Sequence, residues 1–483
     1  MTYHEHPLRV LRYSMRNLWL LIFPLLRGFS VFHFDPEGIY QWVKGAWADI
    51  LILIAILVFG FIRWYCTEVE VSIGSVTYRE GVIFKVVTDI PFNNISVSTA
   101  ESPAYLIPFH GVRLSFDTRA GFFRTTDLKL LMTKKHSLSI LENIPDINVK
   151  NKQDIQDPSG LSVLLFSLFF SSGFSGAVYI ATFFIKGGDI AHDLILLSLN
   201  TLAETTEKIS SNFILKIPGA ALAAGTFFLA AWLLSFFVNI QRYSRFRINC
   251  DEKVLNVTCG LFNRRSYRIN LDHINFTDLR QNLIMKMTGI VTVNISCAGY
   301  GTSSQHMPVL LPVRLEKNLG KGLERLGLFS GIKLEFKPRR SGWWNYVWMP
   351  FLSAVIILPL SDSAAKLFPR ISELIHFSGM MLMIPAVWLV AVKTVALLTS
   401  GISLYEDKIL IRCSKWTSFH TVAADRENIV KIDIMQSPFQ RFLSHKCCLS
   451  FWLCGEGVTK YSVRAMDLKD AIRIARLLGY RPE

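Results

Sequence analysis

The stretch FRINCDEKVLNVTCGLFNRRSYRINLDHINFTDL, residues 246–279, decides the fold, because the chain repeats its plan twice in different letters. One copy precedes it, VEVSIGSVTYREGVIFKVVTDIPFNNISV (69–97), and one follows, ISLYEDKILIRCSKWTSFHTVAADRENIVKIDI (402–434). Identities are few, but the offsets hold. Gly81 to Ile95 and Gly260 to Ile274 are each 14 residues, and Ser414 to Ile429 is 15. Ile95 to Gly121, Ile274 to Gly299 and Ile429 to Gly455 are 26, 25 and 26. Constant internal spacing marks one supersecondary unit used three times.

Within a unit the signals are those of short antiparallel strands. Lys253–Thr258 and Lys408–Arg412 alternate, each after a turn at Asp251-Glu252 or Glu406-Asp407. Gly81 and Gly260 fall where the next turn is needed, with Ser414 taking that place in the third copy. Gly111 and Gly289 open a further strand, with His445-Lys446 there in the third copy. An amphipathic helix closes the unit. Leu128, Leu131, Leu138 and Leu141 carry its apolar positions in the first copy, and Asp467 caps Ala471, Ile472, Ile474, Ala475 and Leu478 in the third. About seven strands and one closing helix describe a pleckstrin-homology-type (PH-like) sandwich.

Apolar residues make up 51% of the chain, charged residues 18%, and mean hydropathy is +0.33. Soluble domains carry about 25% charge. Windows 161–185, 217–240, 343–360 and 379–400 read as membrane spans, joined by 47–62 and by 15–34, which Pro24 and Arg27 interrupt. The expected fold is therefore a multi-span α-helical membrane protein, about six helices as three hairpins, with three cytoplasmic PH-like β-sandwich domains each closed by a C-terminal helix. Its expected boundaries are hairpins at 1–66, 158–242 and 341–400, and modules at 67–145, 243–330 and 401–483. No small-residue cleavage site follows the basic and apolar stretch 8–27, so it is expected to remain as a span. Of the 52 lysines and arginines, 44 fall on the side of the amino terminus and the β units, which places both termini in the cytoplasm of a bacterial inner membrane. Eight cysteines without a CxxC pair fit a reducing compartment and leave zinc unsupported. The vicinal Cys447-Cys448 pair reads as part of a strand.

The chain resembles bacterial membrane proteins with pleckstrin-homology-like domains, the YdbT type. The resemblance rests on His6-Pro7 before a basic stretch (HPLRVLRYSMRNLWLLIFPLL), on Gly81-Val82, on Ile90-Pro91 to Asn94-Ile95, on Asp117-Thr118-Arg119-Ala120-Gly121 and on the three hairpin-plus-domain units. It implies a membrane-anchored, non-catalytic protein linked to envelope defence. It also implies a partner, a smaller membrane protein with a single PH-like domain, in a homo- or hetero-oligomer.

Motifs for chemistry are absent. No GxSxG, HExxH or Walker A sequence occurs, Gly299-Tyr300-Gly301 lacks a third glycine, and Ser, His and Asp show no triad spacing. His4, Glu5 and His6 lack further metal ligands at a recognisable spacing. No catalytic residue, metal or cofactor is expected, and no nucleic-acid partner. Arg264, Arg265 and Arg268 follow the Gly260 turn and are candidate contacts to anionic lipid, because a guanidinium matches phosphate geometry. Lys393 is expected to snorkel from its span towards the interface. Gly219, Ala221 and Gly225 offer small residues for helix packing, and residues 190–204 suit an interfacial helix. The function these features suggest is a scaffold whose modules bind a partner protein or inner-leaflet lipid. The alternative is a transporter or translocation component moving a lipid or peptide through six helices.

Overall fold

The computed structural model describes residues 1–14, 36–119, 126–144, 153–155, 160–170, 219–250, 253–300, 309–315 and 334–480, the last range without 406, 439, 442–444 and 456. Each repeat folds into two small antiparallel sheets. In the first module, β1 (Thr2–His4), β2 (Glu68–Val71), β3 (Ser75–Glu80) and β4 (Val86–Pro91) form one sheet, with α1 (Pro36–Tyr65) running into β2. The second sheet starts with β5 (Ile95–Ser102), β6 (Gly111–Thr118) and β7 (Leu128–Thr133). Helix α2 (Lys134–Glu142), capped by the Thr133 hydroxyl, buries Ile140 and Leu141 against that module's core.

The second module repeats the order with β8 (Gln153–Ile155), β9 (Arg247–Cys250), β10 (Val254–Cys259) and β11 (Arg264–Asn270), then β12 (Ile274–Asn282), β13 (Ile290–Cys297) and β14 (Val309–Leu315). Helices α3 (Gly160–Phe170) and α4 (Gly219–Tyr243) precede β9, and the short α5 (Leu283–Thr288) follows β12. The closing helix expected for this module lies outside the described residues. The third module follows α6 (Trp343–Leu367) and α7 (Ser372–Thr399). It has β15 (Gly401–Tyr405), β16 (Lys408–Lys415) and β17 (Ser418–Asp425), then β18 (Ile429–Met435), β19 (Lys446–Leu453), β20 (Thr459–Asp467) and α8 (Leu468–Leu477). One turn of 3-10 helix joins the halves in every copy: Phe92–Asn94, Leu271–His273 and Arg426–Asn428.

The repeat explains two apparent departures in the third copy. Gly81 and Gly260 have φ of +116° and +100°, and a Cβ there would run into the carbonyl oxygens of Phe84 and Asn263. Only glycine fits such a turn. Ser414 is not its counterpart, because β16 continues to Lys415 and the hairpin closes over Trp416-Thr417 alone, with Trp416 at φ 54°. The other left-handed position is His110, Gly289 and His445, each just before β6, β13 and β19. Gly111 is thus a strand residue, one place past the position expected.

Sheets do not stop at module borders. The seven-stranded sheet runs β7-β6-β5-β11-β10-β9-β8, and the six-stranded sheet β14-β13-β12-β17-β16-β15. The second half of one module is therefore hydrogen-bonded to the first half of the next, antiparallel in both cases. The register is the same. Val97 and Phe276, each two past the turn isoleucine, face Ile269 and Ala424, each five before the next one. Val97 is buried in the second module's core and Phe276 in the third's. The close approach is visible at Gly299 and Gly455, where a Cβ would meet Asp117 and Ser296 of the preceding module.

The six-helix membrane bundle is not what the structure shows. The described strands lie in four sheets, and among the described residues two helices are long and apolar enough to cross a membrane, Arg340–Leu367 and Pro369–Thr399. Helix α1 has 30 residues, with Glu37, Lys44 and Asp49 in its first half and an uncharged run over 50–62 before Arg63. The proposed span 15–34, most of 161–185 and the interfacial helix at 190–204 lie outside the described residues.

Gly260→Ala is expected to lower the stability of the purified protein by about 1–3 kcal/mol. Gly74→Ala, where a Cβ meets nothing within 4 Å, is expected to be neutral. Thermal unfolding in detergent checks both.

Candidate functional site

Where a strand hairpin meets the helices that precede its module, the structure leaves a cavity with cationic and apolar walls, and it does so twice. The first lies between modules one and two. The β10–β11 turn docks on the end of α4, with the Gly260 and Leu261 amides donating to the Ser244 and Gln241 carbonyls at 2.8 and 3.1 Å. This satisfies carbonyls that a helix end leaves open. Beside it is a cavity of about 910 Å³ lined by Lys134, Arg245, Arg247, Arg264, Arg265 and Arg268, with Leu141, Val163, Leu164, Ile240 and Phe246 as the apolar wall.

The three arginines singled out from sequence all reach this cavity, in different states. Arg264 is exposed. Arg265 is tied across the junction to Glu101 at 3.2 Å, and Arg113 approaches the same carboxylate at 3.6 Å. Arg268 is half-buried and donates to the Leu141 carbonyl at 3.1 Å, at the end of α2. Burial pulls its pKa below the ordinary guanidinium value, and Glu142 opposes that. Arg265 and Arg268 thus hold module two to module one, while Arg245 and Lys134, on other elements, add exposed charge. Neither was singled out as a site residue from sequence, because Lys134 beside Lys135 and Arg245 between Arg242 and Arg247 look like ordinary charge at a helix start and end. A Cβ on Gly225 would meet nothing within 4 Å, and the side-chain surroundings of Gly219 and Ala221 lie outside the described residues.

The second cavity, about 650 Å³, lies where the β16–β17 hairpin meets α6 and α7. Lys393, Lys415, Lys460 and Arg464 supply its charge, and Tyr346, Met349, Leu389 and Trp416 its apolar wall. Lys393 reaches out of α7 to donate to the Ser414 hydroxyl at 3.1 Å. Tyr346, Val347, Val392, Ala396 and Leu397 seat this end of the helix pair on Phe419 and Ala465 of the β unit. Farther along, Leu352, Val355, Leu360, Met381, Leu382, Ile384 and Val387 are exposed, a surface that suits an apolar solvent.

Ser418, His420 and Asp278 form a chain that the sequence spacing hid, because Asp278 comes from another module. His420 Nδ1 lies 2.8 Å from Asp278 Oδ2, and its Nε2 lies 3.0 Å from Ser418 Oγ. A nucleophilic serine needs its proton shared with the imidazole. Here Ser418 Oγ also donates to the Lys415 carbonyl at 3.0 Å, and Tyr461 donates to Asp278 at 3.4 Å. The group reads as a buried polar clasp between β12 and β17. At the amino terminus, Glu5 pairs with Arg9 at 3.2 Å and accepts from the Leu131 amide, while His6 contacts the Phe109 carbonyl. Among the described residues no three His, Cys, Asp or Glu side chains converge as a metal site. Burial pushes the Cys259 thiol up to about 11 and those of Cys413 and Cys447 to about 12.

The pattern of the bacterial PH domain matches residues 21–155 and 198–322, together more than half of the chain. The chain belongs to the bacterial PH domain family. The matches cover the first two modules, and the third repeats their strand order and turns. Comparison with the curated proteins and with the solved structures finds no match. Membership makes a binding or scaffolding role the general expectation for these bacterial PH modules.

A double-mutant cycle of Glu101→Ala and Arg265→Ala is expected to give a coupling of about 1 kcal/mol or more, because both side chains are mostly buried at the junction. Thermal or denaturant unfolding of the four proteins reads it.

Proposed function

We propose that this protein is a non-catalytic scaffold, held at the bacterial inner membrane by the α6–α7 hairpin, whose PH-like modules bind anionic lipid and a partner protein at the inner leaflet. The observation that carries the reading is the recurrence of a cationic, apolar-walled cavity at two junctions between helices and strand hairpins. An amphiphile with a phosphate head and acyl tails matches such a wall in both halves. Guanidinium and ammonium groups take the phosphate, and the apolar side chains take the first methylenes. The arrangement also suits the site's position. The pockets sit beside the roots of the helices, where a headgroup plane would lie.

Charge supports the orientation. The modules carry most of the chain's lysine and arginine, and the loop between α6 and α7 holds few charges (Lys366, Arg370 and Glu373 are the nearest). Cytoplasmic termini and modules follow from that bias. The inner leaflet is negatively charged, so basic modules close to it gain about 1 kcal/mol per charge at the surface. A partner with the same type of module fits a chain that already joins three such modules edge to edge.

The test is lipid binding by the detergent-purified full chain. Phosphatidylglycerol is expected to raise its thermal midpoint more than phosphatidylcholine of the same acyl chains. Replacing Arg245 and Arg264 together by glutamine should remove most of that difference, while Arg268→Gln should lower the midpoint with or without lipid. Equal shifts from the two lipids would end the lipid reading.

A further inference from the structure

We propose that β4 is an open docking edge for the PH-like module of a separate polypeptide, and that β18, the edge at the other end of the array, is closed. The inference rests on the partner-binding reading above and assigns it a place and a register.

Two kinds of edge meet at every internal junction. One belongs to the last strand of a first sheet, β11 or β17, and the other to the first strand of a second sheet, β5 or β12. Three modules in a row leave one edge of each kind over, β4 and β18, and neither has a strand beyond it among the described residues. The outer edges of the first sheets are treated alike in all copies. β1 covers β2, β8 covers β9, and Phe336 bridges to Ile402 in β15.

The two leftover edges differ in how much charge they carry. At the junctions, the strand side that faces the neighbour holds Val97 and Thr99 in β5, and Phe276 and Asp278 in β12. The same positions in β18 hold Lys431 and Asp433, paired at 2.8 Å, and Trp452 Nε1 also donates to Asp433 at 2.7 Å. Asp278, at the matching position of β12, is answered by His420 across its junction, so it is Lys431, in place of Val97 and Phe276, that opposes pairing here, since docking would strip it of water. β4 carries a single charge, Asp89, which is exposed and accepts from Thr77 of β3, and beside it Val86 and Val87 are 53% and 58% exposed. Pro91 stands where Asn270 and Asp425 stand, just outside both paired registers, so it costs no ladder hydrogen bond.

The occupant follows from what is already used. This chain's own β5 and β12 edges are paired, and its β18 is charged, so a second copy has no matching edge to offer. A separate module does, if the residue two past its turn isoleucine is apolar, as Val97 and Phe276 are. The shared register then sets that residue opposite Ile90, and sets Val87 opposite the counterpart of Ala100 and Leu279.

Photo-crosslinking of the full chain in its native membranes tests this, with p-benzoylphenylalanine at Val87, at Val430 and, as an internal control, at Arg264. The control should join β11 to residues 95–102 within one chain. Val87 should give an adduct to a different polypeptide, mapped by mass spectrometry to the strand after the turn isoleucine of a PH-like module, and Val430 should give none. Val86→Lys with Val87→Lys should abolish the adduct recorded from a probe at Thr88 without moving the thermal midpoint. An adduct to another copy of this chain, to a protein lacking such a module, or none at Val87 while the control succeeds, would overturn the proposal. Each of those results leaves the lipid reading standing, since that is decided by the lipid shifts alone.

Discussion

Backbone pairing across module borders is the interaction on which the rest depends. A small two-sheet module exposes rows of unpaired amides and carbonyls at its edges, and these attract other strands unless covered. Here β5 covers β11 and β12 covers β17, so three modules become one β array. The apolar side chains follow the backbone. From β5 and β12, Val97 and Phe276 reach into the next module's core, which makes the border as dry as an interior. Polar groups caught there are answered in place, as by Glu101 with Arg265 and Asp278 with His420.

That array fixes the position of the cavities. Because β11 is clamped to β5, its arginines meet α2 of the preceding module as well as α3 and α4, and three sources of side chain surround one space. The hairpin of α6 and α7 is seated on the third β unit in the same manner, by Phe419 and Ala465. The helix pair shows its apolar residues outwards along most of its length, and both helices are long and apolar enough to cross a membrane. Apolar helix surfaces and cationic cavities thus occur side by side.

Much of the module was legible from sequence, because strand alternation and turn chemistry are local. The turn before Ile95, Ile274 and Ile429 and the closing helix after Asp467 follow from patterns within a few residues, whereas Leu128 and Leu131, expected on the first closing helix, belong to strand β7 and only Leu138 and Leu141 lie on α2. The third copy's turn was misread at Ser414, since a shorter hairpin needs no glycine and shifts the turn to Trp416. The spacing to Gly299 and Gly455 was correct, but its cause, contact with Asp117 and Ser296 of the preceding module, is nonlocal. Nonlocal pairing was also why the fate of Arg265 and Arg268 was hidden. Nothing near them in sequence announces Glu101 or the Leu141 carbonyl. Among the described residues two helices meet the length and hydropathy of a span, in place of the six read from hydropathy, and the windows 15–34 and most of 161–185 lie outside those residues.

Hydrogen–deuterium exchange of the intact protein tests the shared sheets most directly. Amides of β5, β11, β12 and β17 should exchange as slowly as those of the central strands β6, β10, β13 and β16, because every one of them then lies inside a continuous ladder. Exchange of β11 and β17 at the rate of exposed edges, with β6 and β16 still protected, would show three separate modules and contradict the account.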